Sequence, residues 1–173
     1  MRLTGYGELG IGTVAPASKL DVTTTGLGTT QTNTSGLALV NTTAATAGLQ
    51  QISPALRWRG CGWKTDATAA SQSVDFRSYV VPVQGAANPT GYLAFESSIN
   101  GAAYSAGQMV LTSAGNVGIG TTIPGSSLDV KGTLRLSGST SGYVGFAPAA
   151  AAGSTTYTLP TADGTSGQML STN

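Results

Sequence analysis

Two stretches of this 173-residue chain decide its fold: GELGIGTVAPASKLDV at residues 7–22 and GNVGIGTTIPGSSLDV at residues 115–130. They align without gaps at an offset of 108 residues, and ten of the sixteen positions are identical. The shared positions include Pro, Asp, Leu and Ile at fixed spacing, which a bias in composition does not produce. The chain therefore contains two copies of one structural unit.

Each copy predicts two short strands separated by a turn. Leu9 to Ile11 is a strand with Gly at its centre, where glycine indicates a close backbone approach. Pro16 and Pro124 fix φ in the turns that follow. Residues 19–22 alternate apolar and polar side chains, and in the second copy the alternation continues over 128–136. Period two with one apolar side predicts half-buried strands.

The segment between the copies predicts a small antiparallel β lobe. Apolar and polar residues alternate in five short runs: 37–40, 55–59, 74–79, 91–96 and 108–112. Asn100-Gly101 is a strong signal for a hairpin turn. Helical periodicity is nearly absent, so the chain is expected to be all-β.

The composition narrows the function classes. Gly, Ala, Ser and Thr account for 92 of the 173 residues, and the formal net charge is +1. There is no histidine and Cys61 is the single cysteine, which excludes His-based catalysis, a disulfide framework and Cys/His zinc sites. The near-neutral net charge gives no indication of a basic surface that would bind nucleic acid. No apolar run is long enough to span a membrane. We expect no cofactor, no nucleic-acid partner and no membrane insertion.

The hydrophobic core predicted for one chain is thin. Leu, Ile, Val and Phe make up 34 of the 173 residues, which is near the lower limit for a globular domain. Low net charge and the short alternating runs argue against disorder. The sequence therefore predicts that burial is completed by other chains.

These residues together resemble the shafts of bacteriophage tail fibres, in which Gly-Asn-Val-Gly-Ile-Gly-Thr repeats often precede an intramolecular chaperone domain. The run 115–124 with Leu128-Asp129-Val130 is similar to the repeat. The runs 73–77 and 91–96 resemble the insert between repeats, and residues 157–168 resemble the end of a shaft. The resemblance implies an elongated homotrimer with interleaved shaft strands. It also implies a virion location, fibre or baseplate proteins as partners, and a structural role in host attachment.

The resemblance suggests four segments. Residues 1–34 are the first shaft repeat and a Thr/Gly-rich connector, and 35–114 are the β-rich lobe, expected to project sideways. Residues 115–140 are the second repeat, and 141–173 are a C-terminal β segment leading to a distal part. We expect an excerpt of a longer fibre, a very short fibre, or a protomer that polymerises head to tail. The alternative is an extracellular or cell-surface filament or adhesin protomer outside any virion.

Candidate functional residues fall into two sets. The first is expected to pack between chains: Ile11, Leu20, Val22, Ile119, Leu128, Val130, Leu134 and Leu136. The second consists of candidate contacts to a host-surface glycan, because aromatic faces suit saccharides: Trp63, Tyr79 and Tyr92. Trp58 is expected instead to pack in the lobe core with Leu56 and Phe76.

The carboxylates have structural and functional interpretations. Asp21 and Asp129 occupy equivalent places and are interpreted as turn caps or polar strand residues rather than ligands of an axial cation. Asp66, Asp75 and Glu96 are the candidates for a glycan-cleaving pair. No motif supports hydrolysis, and Asp75 beside Arg77 is interpreted as a surface ion pair. We therefore expect a non-enzymatic protein.

Overall fold

The computed structural model describes residues 1–29, 36–151, 153 and 156. These residues form strands and no helix, so the all-β prediction is confirmed. The chain divides into two compact units, Met1–Asp129 and Val130–Asn173. The predicted strand–turn–strand at 157–170 lies outside the described residues.

The first copy of the repeat forms a three-stranded sheet of strands β1 (Arg2–Leu3), β2 (Leu9–Ile11) and β3 (Leu20–Val22). Strand β2 is central, antiparallel to β1 and parallel to β3. Eight residues separate β2 from β3, fewer than the dozen or more that usually connect parallel strands. Gly12, with φ of +79°, and Pro16 lie in this turn and allow so short a return.

Strands β7 (Met109–Thr112), β8 (Val117–Ile119) and β9 (Leu128–Val130) lie at the same offset of 108 residues and repeat this arrangement. Hydrogen bonds also recur. The Asp21 carboxylate accepts from the Ala17 amide at 2.9 Å, and Asp129 accepts from Gly125 at 2.9 Å. Gly12 and its counterpart Gly120 both have positive φ, 79° and 74°. The two copies are thus the same unit in backbone conformation as well as in sequence.

A six-stranded sheet contains the second copy and the strands that precede it. Its first three strands are β4 (Leu56–Lys64), β5 (Ala70–Val83) and β6 (Thr90–Ile99). The order β4-β5-β6-β7-β8-β9 follows the chain, and β4 to β8 pair antiparallel throughout. The strands predicted for the lobe are therefore continuous with those of the second repeat.

The predicted Asn100-Gly101 turn is confirmed. Both residues have positive φ, 51° and 76°, and the Ala102 amide donates to the Ile99 carbonyl at 3.0 Å. This is the type I′ geometry that Asn-Gly favours. The chain then returns along β6, where the Ser105 amide donates to the Ser97 carbonyl before β7 begins.

Two predicted strands are wrong. Residues 37–40 form no strand, because their backbone has no ladder partner among the described residues, and Leu37 and Val40 are exposed. The alternation over 128–136 is not one strand but two, β9 and β10 (Leu134–Ser137). Gly132, with φ of +127°, breaks the extended conformation between them.

The second unit contains a two-stranded hairpin of β10 and β11 (Tyr143–Phe146). The Arg135 guanidinium lies 4.0 Å from the centre of the Tyr143 ring on one face. The other face carries the large apolar side chains, all exposed: Leu134, Leu136, Val144 and Phe146. A lone hairpin of this kind is marginally stable in water.

Candidate functional site

The six-stranded sheet has one apolar and one polar face. Residues directly opposite each other in an antiparallel ladder point to the same side, so the register assigns every side chain to a face. One face, called the apolar face, carries most of the large apolar side chains: Leu56, Trp58, Val74, Phe76, Val80, Leu93, Phe95, Ile99, Met109, Leu111, Val117 and Ile119. The polar face includes Arg57, Arg59, Asp75, Arg77, Tyr79, Tyr92, Ala94, Glu96, Ser98 and Val110.

Burial on these two faces is the reverse of that in a globular domain. On the polar face Asp75 is 1% exposed and Glu96 is 5% exposed. On the apolar face Trp58 is 52% exposed and Phe76 is 55% exposed. Among the described residues, the only buried hydrophobic ones are Ala94 and Val110, both on the polar face. In the single chain, the apolar face is therefore exposed to water.

Asp75 lies at the centre of the polar face and binds two arginines. Its Oδ1 accepts from Arg57 Nε and from Arg59 Nε, each at 2.8 Å, and its Oδ2 accepts from Arg59 Nη2 at 3.1 Å. Asp75 stands directly opposite Arg59 in the ladder, and Arg57 is its diagonal neighbour. The register of β4 against β5 thus builds this cluster.

Glu96 forms the second ion pair of this face. It accepts from Arg77 Nη2 at 2.7 Å and from the Tyr79 hydroxyl at 3.0 Å. The Arg77 guanidinium also lies over two aromatic rings, 4.8 Å from the centre of Tyr79 and 3.9 Å from that of Tyr104. Burial, followed by the hydrogen bond to Glu96, raises the pKa of the Tyr79 hydroxyl.

The predicted surface ion pair of Asp75 with Arg77 is wrong. Residues two apart on a strand share a face but lie further apart than residues on adjacent strands, whose Cβ atoms are about 4.5–5.5 Å apart. Arg77 is directly opposite Glu96, and Asp75 is opposite Arg59. Each therefore pairs across the ladder, and Asp75 is buried rather than at the surface.

The Asp75 cluster makes stability depend on pH. The Arg59 hydrogen bond, helped by Arg57, lowers the pKa of Asp75 below its ordinary value, while burial acts in the opposite direction. A carboxyl with a lowered pKa stabilises the fold above its unfolded-state pKa of about 3.9, and this stabilisation is lost as pH falls through the folded-state pKa. A lowered pKa also suits Asp75 poorly to donate a proton as a general acid.

We expect Asp75→Asn to lower the melting temperature at pH 7 and to flatten its decline below pH 4. Thermal unfolding between pH 7 and pH 2.5, followed by circular dichroism, measures both. Asp66→Asn is the matched control, because Asp66 pairs with Lys64 at an exposed site where ion pairs contribute little. Equal pH profiles for wild type and Asp75→Asn would show that the cluster does not stabilise the fold.

The three candidate glycan contacts do not form one site. Trp63 is 68% exposed near the end of β4, opposite Ser71, eight residues along β5 from Tyr79. Eight residues of strand span about 26 Å. Tyr79 is half-buried over Glu96, and Tyr92 lines a separate cavity of about 510 Å³ with Thr112 and Ile123.

The residues predicted to pack between chains all lie on apolar sides of sheets. In the first copy Ile11, Leu20 and Val22 share a side with Leu3 and Leu9, opposite the side of Gly10 and Asp21. In the second copy Ile119 is on the apolar face of the six-stranded sheet. Six of these residues are exposed in the single chain: Ile11, Leu20, Ile119, Leu128, Leu134 and Leu136. Val22 and Val130 are half-buried.

The expected core packing of Trp58 is wrong for the single chain. Trp58 does lie directly opposite Phe76 and beside Leu56, as the alternation predicts. All three are exposed, because no second layer of the described structure covers this face. The pattern identified the shared face correctly but not what covers it.

Asp21 and Asp129 cap turns. Besides accepting from the Ala17 amide, Asp21 accepts from the Thr23 hydroxyl at 2.8 Å. These two bonds, the backbone one first, lower the pKa of Asp21. The described residues contain no group of three or more His, Cys, Asp or Glu side chains that could hold a metal ion.

No family model matches this chain, and no curated protein or solved structure is significantly similar to it. In the part of the chain that the structure describes, no helix is both long enough and apolar enough to cross a membrane. The resemblance to tail fibres therefore stays a prediction carried by the motifs of the sequence.

The arginine cluster around Asp75 was not predicted from the sequence. Its signal was present, since Arg57 and Arg59 alternate with Leu56 and Trp58 and so share a side of β4. The sequence does not show the register of the strands, which brings Asp75 and Tyr104 close to these arginines. Tyr104 follows the Asn100-Gly101 turn and has no strand pattern of its own.

Proposed function

We propose that this chain is a structural, non-enzymatic segment of a homotrimeric phage tail fibre that takes part in host attachment. The observation that carries the proposal is the exposed apolar face of the six-stranded sheet. The resemblance supplies the number of chains, the virion location, and the expected fibre or baseplate partners. Because β4 to β7 share this face with β8, we place the lobe inside the assembly rather than projecting freely from it.

The size of the apolar face supports association. Eight of its side chains are exposed: Leu56, Trp58, Phe76, Val80, Ile99, Met109, Leu111 and Ile119. Their exposed fractions of 37–55% correspond to about 700 Å² if each side chain is assigned the roughly 150–250 Å² that an aromatic side chain buries. A monomer rarely exposes so large an apolar patch, and a stable interface buries about 800 Å² per partner. Other copies of the same chain, meeting face to face, would cover it.

The same arrangement recurs in each of the three sheets that the described residues form. The sheet of β1 to β3 exposes Leu3, Ile11 and Leu20 on one side, and the β10–β11 hairpin exposes its four apolar side chains. Three sheets with uncovered apolar sides in one chain favour an obligate assembly along the chain's length. A protein that stays monomeric rarely exposes several apolar patches of this kind.

The described polar face favours a structural role over hydrolysis. Asp75 and Glu96 are both held by arginines, and Asp66 is an exposed partner of Lys64. A glycosidase needs one carboxyl with a raised pKa as the acid, whereas the pKa values of Asp75 and Asp66 are lowered. The carboxylates of this face instead fix arginines on the strands.

Antibody labelling tests the proposed location. Antibodies raised against the purified protein are applied to two samples from the culture in which its gene is expressed: the phage particles and the bacterial cells. Electron microscopy then locates the label. We expect label on slender fibres at the phage tail. Label on the cell surface or on free filaments, with none on virions, would contradict the proposal and favour the alternative of an extracellular filament protomer.

A further inference from the structure

An open cleft of about 360 Å³ lies on the polar face. The loop that follows the Asn100-Gly101 turn forms one wall, with Tyr104, and strand β4 forms the other. The charged and hydroxyl-bearing side chains that line it are Arg57, Arg59, Asp75, Arg77, Ser98 and Tyr104. Three of these six residues are arginines, and the cleft lies on the side of the sheet opposite the apolar face.

Positive charge is in excess at this cleft. Arg57 and Arg59 share the single carboxylate of Asp75, and Arg77 has Glu96 as its own partner. One carboxylate neutralises one guanidinium, so one positive charge is uncompensated. Asp75 is 1% exposed, whereas the side chains of Arg57 and Arg59 are 48% and 51% exposed. The Asp75 carboxylate therefore lies beneath the two guanidinium groups, which face solvent.

The arginines retain donors for a ligand. Arg57 uses Nε and Nη2 on Asp75, and Arg59 uses the same two atoms. Among the described residues, neither Nη1 group makes a hydrogen bond. Because Asp75 fixes both guanidiniums on a rigid strand, their planes are oriented before any ligand arrives, which reduces the entropy cost of binding.

Tyr104 provides the second kind of contact. Its ring stacks on the Arg77 guanidinium at 3.9 Å, which fixes the ring at the wall of the cleft. Within the described part of the chain, its hydroxyl has no hydrogen-bond partner. An aromatic side chain with a hydroxyl, in the same cleft as Arg57 and Arg59, suits a polar ring that carries an anionic group.

We propose that this cleft binds an acidic saccharide, with the oxyanion of the sugar, a carboxylate or a phosphate, held by Arg57 and Arg59. The Nη1 groups that Asp75 leaves unpaired are charged donors, and both kinds of anion accept strong hydrogen bonds from such donors. The inference deepens the proposed attachment function and rests on it only for the biological source of the ligand. The residues differ from those expected from sequence, since Trp63, Tyr79 and Tyr92 do not line this cleft.

Titration of the full chain with three sugars tests the proposal. Glucuronate carries a carboxylate, glucose 6-phosphate a phosphate, and glucose neither, and chemical shifts or calorimetry report binding. We expect binding of at least one acidic sugar, no binding of glucose, and weakening as salt rises. Tighter binding of glucuronate identifies a carboxylate ligand, and tighter binding of the phosphate ester a phosphate ligand. Binding of neither, or equal binding of glucose, would overturn the proposal.

Arg57→Gln and Lys64→Gln form a matched pair of variants. Both remove one positive charge from β4, but Lys64 points to the opposite face and pairs with Asp66. Arg57→Gln leaves Arg59 on Asp75, so the cluster keeps one ion pair. We expect Arg57→Gln to weaken binding about tenfold, the loss of one charge-assisted hydrogen bond, with Lys64→Gln unchanged. Equal effects of the two variants would assign the binding to net charge and overturn the site.

The binding readout is separate from the assembly readout. If the protein assembles but binds no acidic sugar, the cleft proposal fails and the fibre proposal stands. If the protein binds the acidic sugar as a folded monomer, the fibre proposal fails and the cleft stands.

Discussion

Phe76→Asp should prevent assembly of the proposed trimer. Phe76 lies opposite Trp58 in the middle of the apolar face and is 55% exposed in the single chain. Losing the buried ring removes about 3 kcal/mol per chain, and a carboxylate placed against apolar partners adds a desolvation cost of several kcal/mol. Sedimentation velocity at micromolar concentration should show monomer or aggregate in place of trimer.

Ser71→Asp is the control for this substitution. It adds the same charge to the same strand, but Ser71 is exposed and its side chain belongs to the opposite side of the sheet. We expect this variant to remain a trimer. A Phe76→Asp variant that sediments as wild type would show that the apolar face is not the interface.

Ile119→Asp extends the test to the repeat itself. Ile119 lies opposite Met109 on the same face, and its counterpart in the first copy is Ile11. We expect loss of the trimer here too, because an unpaired charge would be buried between chains. A variant of normal mass in sedimentation would remove the repeat strands from the interface and confine it to the lobe.

Gly118→Ala should destabilise the second repeat strongly. Gly118 is buried beside Val110, and an added Cβ would overlap the backbone carbonyl oxygen of Thr121 and lie 3.0 Å from Val110 Cγ2. Overpacking of this kind costs about 1–3 kcal/mol, and backbone cannot move aside as a flexible side chain can. Chemical unfolding monitored by circular dichroism should show the loss.

Two further glycines complete this experiment. At Gly10, the equivalent position of the first copy, an added Cβ would lie 2.6 Å from the Thr13 carbonyl oxygen, so Gly10→Ala should also destabilise. Gly5→Ala is the control, since nothing lies within 4 Å of its added Cβ and the second copy has Ser113 there. Equal stability of all three variants would contradict the tight packing of the repeat.

Local sequence patterns correctly predicted those strands and turns that are determined by residues close together in the sequence. Leu9 to Ile11 forms a strand with a buried central glycine, and Asn100-Gly101 forms the expected turn. The side of Leu56 and Trp58 also follows from alternation alone. These features depend on residues close in sequence, which is why one chain's sequence is enough to predict them.

Features that depend on register could not be predicted in the same way. Asp75 pairs with Arg59 rather than Arg77 because β4 and β5 align at that offset, and no local pattern fixes the offset. Alternation at residues 37–40 predicted a strand, but a strand also needs a partner ladder. The alternation over 128–136 predicted one strand, but Gly132, with its positive φ, divides it into β9 and β10. Most of the arginine site is therefore visible only in the folded sheet.

The mass of the wild-type protein in dilute solution tests the central claim most directly. Sedimentation equilibrium or light scattering, with circular dichroism on the same sample, should give three times the 17.2 kDa mass of the chain together with a β-sheet spectrum. A folded, stable monomer at the same concentration would contradict the account, because its apolar faces would then remain in water without a partner.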